Sequence, residues 1–208
     1  MLGPMFDVEG FILVGGASSR MGTDKSRLDF AGQTSVERIA ESLKPLVDKI
    51  TLVGAALSGP DSLPAISDVH DKWGPLGGIH AALQVSRAPL CMIVACDLPF
   101  VTSALLDRLI DFMDDVDAVV PMQSDGHPQP LCAVYRVDRC LVAAREAIAR
   151  KEHSPRALLD QVNTRYVEFE AMSRLPGSEH FFFNVNTPEN LQRAREILTA
   201  RQDGNPDH

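Results

Sequence analysis

The chain has 208 residues, 45% apolar and 23% charged, with a formal net charge of −8 and a pI near 5.2. A chain this long buries about 70% of the surface it exposes when unfolded, so it needs no disulfide or metal to fold, and its acidic balance argues against a broad nucleic-acid surface. No apolar run approaches the roughly 20 residues of a membrane span, and Met1–Gly10 carries Asp7 and Glu9 without a basic segment, so a cytoplasmic protein without a signal peptide is expected.

In chain order, Phe11–Val14 reads as a buried strand that leaves through Gly15-Gly-Ala-Ser-Ser-Arg-Met-Gly22, with Asp24 and Lys25 just beyond. A helix is expected from Ser35 to Leu46: Val36, Ile39, Ala40 and Leu43 share one face, and Thr34 with Glu37 forms a capping-box signature. Ile50–Val53 is the next strand. Gly74-Pro-Leu-Gly-Gly78 opens a helix that continues through Ile79, Ala82 and Leu83. Leu90–Ala95 is a strand apolar at every position. Thr102 caps a helix whose stripe is Leu105, Leu106, Leu109, Ile110 and Met113. Asp117–Val120 and Pro130–Tyr135 are strands, Asp138–Arg150 a helix, Pro155–Val162 a short helix and Arg165–Phe169 a half-exposed strand. Phe181–Phe183 precedes Asn184-Val-Asn-Thr-Pro188, and a last helix runs to Ala200. Residues 201–208 read as a polar tail, which leaves one domain over residues 1–200.

Apolar strands separated by amphipathic helices imply an α/β fold, a Rossmann-like three-layer sandwich with a mostly parallel central sheet. Ligands of such sheets bind beyond the carboxyl ends of the strands. The glycine loop after Val14, Gly54 and Asp97 all follow strands and are expected on that edge. Cys91, Cys96, Cys132 and Cys140 form no Cys-x-x-Cys pair and read as small core residues.

The glycine loop is neither a Walker A motif nor a Gly-x-Gly-x-x-Gly fingerprint, since Gly15 and Gly16 are adjacent, Gly22 follows six residues on and Lys25 three after that. Glycines let main-chain N–H groups approach phosphate oxygens, and Arg20 and Lys25 would supply charge for a triphosphate. The alternative is a glycine turn with two solvated cations. Asp97 likewise has two readings, a hard-metal ligand at a strand end or a charge at the start of the next helix.

Taken in order, Gly15–Gly22 with Asp24-Lys25, Asp68 upstream of Gly74–Gly78, Cys96-Asp-Leu-Pro-Phe100, Gln129-Pro-Leu-Cys-Ala-Val-Tyr135 and Asn184-Val-Asn-Thr-Pro-Glu189 resemble the molybdenum cofactor guanylyltransferase (MobA) family of nucleoside-triphosphate transferases. The likeness extends from the first strand to the last helix. It implies a glycosyltransferase-A-like nucleotidyltransferase fold, a nucleotide-binding N-terminal half and an acceptor-binding C-terminal half. The implied reaction joins GMP from GTP to the terminal phosphate of molybdopterin and releases pyrophosphate, with Mg²⁺ as cofactor.

Carried over by position, Leu13, Val14, Gly15, Gly16 and Gly22 border the nucleotide and Lys25 meets its phosphates, with Arg20 beside it. Asp68 contacts the nucleotide, with Asp71 as the competing assignment, Gly74 and Gly78 approach it, and Asp97 binds the metal. Gln129, Asn184 and Asn186 face the pterin. The family asparagine after the second strand is replaced around Gly54, where a main-chain carbonyl would have to stand in. Molybdoenzyme maturation proteins are the implied macromolecular partners. Competing readings are a cytidylyltransferase on the same acceptor, a nucleotidyltransferase on a sugar or polyol phosphate, and a non-catalytic nucleotide-binding adaptor. Gly15-Gly16 favours guanine, because cytidylyl relatives commonly carry Ala-Gly there, while Lys25 and Asp97 argue against an adaptor.

Overall fold

Residues 7–14, 29–30, 32–54, 63–67 and 74–202 are described by the computed structural model. The chain forms β1 (Val8–Val14), β2 (Asp29–Phe30), β3 (Gln33–Thr34), α1 (Ser35–Leu43), β4 (Ile50–Gly54), β5 (Ala65–Ile66), α2 (Gly74–Val85) and β6 (Leu90–Ala95). It continues with α3 (Ser103–Asp111), β7 (Ala118–Pro121), β8 (Cys132–Arg136), α4 (Val137–Ala149), α5 (Arg156–Leu159), β9 (Thr164–Val167) and α6 (Pro188–Gln202). Two short 3₁₀ turns, Phe169–Ala171 and Ser178–His180, precede the last helix.

Seven strands form one sheet in the order β5-β4-β1-β6-β8-β7-β9. β1 pairs in parallel with β4 and β6, and β7 pairs in parallel with β9. β8 is antiparallel to both neighbours, entering between β6 and β7. The mostly parallel three-layer α/β sandwich expected from the sequence is therefore the fold.

Side-chain alternation along each strand builds the two cores. Ile12 and Val14 of β1 with Leu90, Met92 and Val94 of β6 face α1 and α3, where Ile39, Leu43, Leu105 and Leu109 close the layer. Phe11 and Leu13 with Cys91 and Ile93 face the opposite layer, closed by Leu76, Ile79 and Leu83 of α2, Ala144 and Ala147 of α4 and Leu158 of α5. A strand covered on both sides needs apolar residues throughout, as β6 has. A smaller third cluster joins Phe30 and Phe100 to Val185, Ala194, Ile197 and Leu198, so α6 packs beside the β2–β3 hairpin.

Several element ends differ from expectation for identifiable reasons. α1 keeps the capping box, in which the Thr34 side chain accepts from the Glu37 N–H and the Glu37 carboxylate accepts from the Thr34 N–H. It stops at Leu43 rather than Leu46, where Lys44-Pro45 ends the ladder because proline has no N–H and crowds the preceding turn. β9 ends at Val167, and Phe169 enters a 3₁₀ turn. α5 is a single turn ending at Leu159. α6 runs two residues past Ala200. Among the described residues, no helix is long and apolar enough to cross a membrane.

Candidate active site at the carboxyl edge of the sheet

β1, β4 and β6 are parallel and in register, so Val14, Gly54 and the residues after Ala95 arrive at one edge. β8 runs the other way, and the segment leading into it reaches the same edge: the Ala95 N–H donates to the Leu131 carbonyl at 2.7 Å. Gln129 lies just before this contact. It is buried, its N–H donates to the Pro121 carbonyl, and its own carbonyl accepts from the Cys132 N–H.

Asp97 is the one residue from Leu90 through Val101 that is not buried. The buried strand thus delivers a single carboxylate to partial exposure, with Cys96 and Leu98 anchored in the core on either side. The Cys96 N–H donates to the Leu13 carbonyl at 3.0 Å, extending the β1–β6 ladder to the residue before Asp97. The Asp97 carbonyl accepts from the Val185 N–H at 2.9 Å. That bond brings the Asn184–Asn186 segment onto the Asp97 loop, and Phe100 continues the contact, its ring centroid 5.6 Å from that of His180 and 5.9 Å from that of Phe183.

Asn184 is half-buried and donates from its side chain to the Phe182 carbonyl at 3.3 Å. Asn186 is exposed, and its N–H donates to the Asn190 side chain. Thr187 accepts from the Asn190 N–H at 3.2 Å and Pro188 is the first residue of α6, the cap and proline arrangement expected of a helix start. The Thr187 hydroxyl also holds the exposed Glu189 carboxyl below its usual pKa.

The expected nucleotide-side residues fall into two groups. Leu13 and Val14 lie on opposite faces at the end of β1, with Leu13 packed toward α2 and Val14 toward α1. A Cβ on Gly78 would lie 3.3 Å from a Leu13 methyl, so the bare Gly78 lets α2 pack closely on β1. Gly74 opens α2 with φ +57° and is exposed, and Gly54 ends β4 with φ +116°. Gly15, Gly16, Arg20, Gly22, Lys25, Asp68 and Asp71 lie outside the described residues.

One feature of this edge had little signal in the sequence. Ser35, directly after the Thr34 cap, reads as an ordinary helix-start residue, yet it is buried and its hydroxyl donates to the Cys96 carbonyl. Only the pairing of a helix start with a strand end, a tertiary fact, reveals that role.

Among the described residues no three His, Cys, Asp or Glu side chains gather as a metal cluster. A carboxylate at a strand end suits Mg²⁺, which keeps waters and is commonly held by one or two carboxylates together with substrate phosphates. Asp97 meets that requirement by chemistry and exposure.

Comparison with known proteins gives the family and agrees with the fold. Residues 10–166 match the family model of the MobA-like NTP transferase domain. The chain is 34% identical over 202 residues to a probable molybdenum cofactor guanylyltransferase of Pelotomaculum thermopropionicum, covering 96% of this chain and 98% of that protein. It is 32% identical over 202 residues to the molybdenum cofactor guanylyltransferase of Desulfosudis oleivorans, covering 93% and 96%. The crystal structure of molybdopterin-guanine dinucleotide biosynthesis protein A from Archaeoglobus fulgidus superposes with a TM-score of 0.78 at 29% identity, over 92% of this chain and 98% of that one. A 2-C-methyl-D-erythritol 4-phosphate cytidylyltransferase from Thermus thermophilus shares the fold, with a TM-score of 0.70 at 16% identity over 93% and 99%.

Proposed function

This chain belongs to the MobA-like NTP transferase family, and we propose that it transfers GMP from GTP to the terminal phosphate of molybdopterin. The observation that carries the reading is end-to-end likeness to proteins named as molybdenum cofactor guanylyltransferases, covering nearly all of both chains. The meeting of Asp97 with the Asn184–Asn186 segment supports it, because nucleotide and acceptor must converge on one point.

In the proposed reaction an oxygen of the acceptor's terminal phosphate attacks the α-phosphorus of GTP. The new P–O bond forms as the bond from the α-phosphorus to the bridging oxygen breaks, and pyrophosphate leaves with that electron pair. The attacking phosphate is already ionised at neutral pH, so no serine, cysteine or histidine nucleophile is required. The barrier is the approach of one anion to another and the charge gathered on the leaving group, which positioning and cationic stabilisation lower.

Lys25 and Arg20 stabilise the triphosphate in this reading, and Gly15, Gly16 and Gly22 offer main-chain N–H groups to its oxygens. Leu13 and Val14 form the floor beside the base and ribose, Asp68 contacts the nucleotide, and Gly54 contributes a main-chain group where the family asparagine would stand. Gly74, exposed at the start of α2, lies beside the nucleotide in this reading, and Gly78 serves it by letting α2 pack closely behind Leu13. Gln129, Asn184 and Asn186 orient the pterin. Asp97 would hold Mg²⁺, whose positive charge would offset that of the phosphates. The N-terminal half thus serves the nucleotide and the C-terminal half the acceptor, within one domain, and maturation proteins of molybdoenzymes would collect the product.

The direct test uses GTP labelled at the α-phosphate. Label recovered in a molybdopterin–guanine dinucleotide, with one pyrophosphate released per product, supports the transfer. Label that stays in GTP or appears only as free GMP contradicts it.

A further inference from the structure

α1 meets the Asp97 loop through Ser35, Arg38 and Ser42, spaced three and four residues apart and so aligned along one line of the helix. The Ser35 hydroxyl donates to the Cys96 carbonyl, the Arg38 Nε to the Pro99 carbonyl at 3.3 Å, and the Ser42 hydroxyl to the Val101 carbonyl at 2.8 Å. Three donors of one helix therefore anchor the loop at its beginning, middle and end.

Ser35 differs from the other two in depth and in where its bond lands. It is 1% exposed, and it holds the carbonyl of the planar peptide group that contains the Asp97 nitrogen. The next peptide group contains the Asp97 carbonyl, which the Val185 N–H holds at 2.9 Å. Both peptide planes around the Asp97 Cα are thus fixed by donors from outside the loop, one from α1 and one from the segment entering α6. With both planes set, φ and ψ of Asp97 are set, and with them the direction in which its Cα–Cβ bond leaves the chain.

We propose that Ser35 is a positioning residue, which orients the Asp97 carboxylate toward the metal by fixing the 96–97 peptide plane. The proposal rests on the reading of Asp97 as the Mg²⁺ ligand. A hydroxyl that merely satisfied a buried carbonyl would affect stability and leave metal affinity alone. A group that aims a ligand affects metal affinity, typically by about 10-fold to 100-fold for a supporting hydrogen bond at a metal site.

The test compares Ser35→Ala with Ser42→Ala, which removes the same type of bond from the same loop at its far end. Mn²⁺ binding is titrated by electron paramagnetic resonance in the presence of a non-hydrolysable GTP analogue, and thermal midpoints are recorded beside it. Both variants should melt lower. Ser35→Ala should bind Mn²⁺ about 10-fold more weakly, while Ser42→Ala should bind it as the parent does. Should Ser35→Ala fail to fold, Ser35→Thr, which keeps the hydroxyl, should retain affinity, and Ser35→Cys, a weak donor, should lose it. Affinity unchanged in Ser35→Ala or Ser35→Cys, or weakened equally in Ser42→Ala, overturns the proposal. Asp97→Asn separates the two claims. If it leaves Mn²⁺ binding intact, the metal reading falls and the positioning role falls with it. If it abolishes binding while Ser35→Ala does not weaken it, the positioning role alone is overturned.

Discussion

A Cβ on Gly54 would lie 1.8 Å from the carbonyl oxygen of Val14. The two residues are register partners across the parallel β1–β4 pair, and Gly54 holds φ at +116°, where L side chains are strained. The site therefore needs glycine for contact and for backbone conformation together.

Putting a family-type asparagine at this position should accordingly fail. Gly54→Ala and Gly54→Asn should each lower stability by about 3 kcal/mol or more, since both clash and strain act at once. Denaturant unfolding monitored by circular dichroism checks this. A Gly54→Asn variant as stable as the parent would show that the strand end can rearrange.

Asp97→Asn preserves side-chain shape and removes one negative charge from the proposed metal site. As a metal ligand it should lose most activity, with partial recovery at higher Mg²⁺ or with Mn²⁺, which tolerates neutral ligands better. As a helix-start charge ahead of Thr102, the change would cost at most about 1 kcal/mol and leave turnover alone. Turnover measured over a Mg²⁺ series separates these. Full activity at ordinary Mg²⁺ contradicts the ligand role.

Lys151 is the one non-glycine residue with positive φ among those described, at +62°. It ends α4 in a position that glycine usually fills: its N–H donates to the Ile148 carbonyl, and the Glu152 N–H reaches back to Ala147. Lys151→Gly should stabilise the protein by about 1 kcal/mol, a rise of roughly 2–4 °C in Tm for a chain of this size. A lower melting temperature would show that the lysine side chain contributes more than its backbone costs.

Much of the fold was legible because it depends on local chemistry. β6 announced itself as an unbroken apolar run, α1 through Thr34 and Glu37, and α3 through Thr102, whose hydroxyl accepts from the Leu105 N–H as expected. The direction of β8 was not legible, since a strand buried on both faces has the same apolar pattern whichever way it runs. The two-residue strands β2, β3 and β5 are too short to show a period. At the candidate site, Asp97 stands out in the sequence because a carboxylate directly after an apolar strand is conspicuous, and residue type alone leaves it as either a metal ligand or a helix-start charge. The bond from Ser35 to the Cys96 carbonyl was not legible, because the two residues lie 61 positions apart. The meeting of Val185 with Asp97 is likewise a long-range main-chain contact that leaves no trace in residue type.

The central claim is guanylyl transfer to molybdopterin, and its most direct test is pyrophosphate release with molybdopterin and Mg²⁺ while GTP, CTP, ATP and UTP are supplied in turn. GTP should give a kcat/KM at least about 10²-fold above CTP, the discrimination expected when a site hydrogen-bonded to one base leaves its polar groups unpaired with another. Release should also require the acceptor. Equal or preferential use of CTP, or release that ignores molybdopterin, would contradict the account.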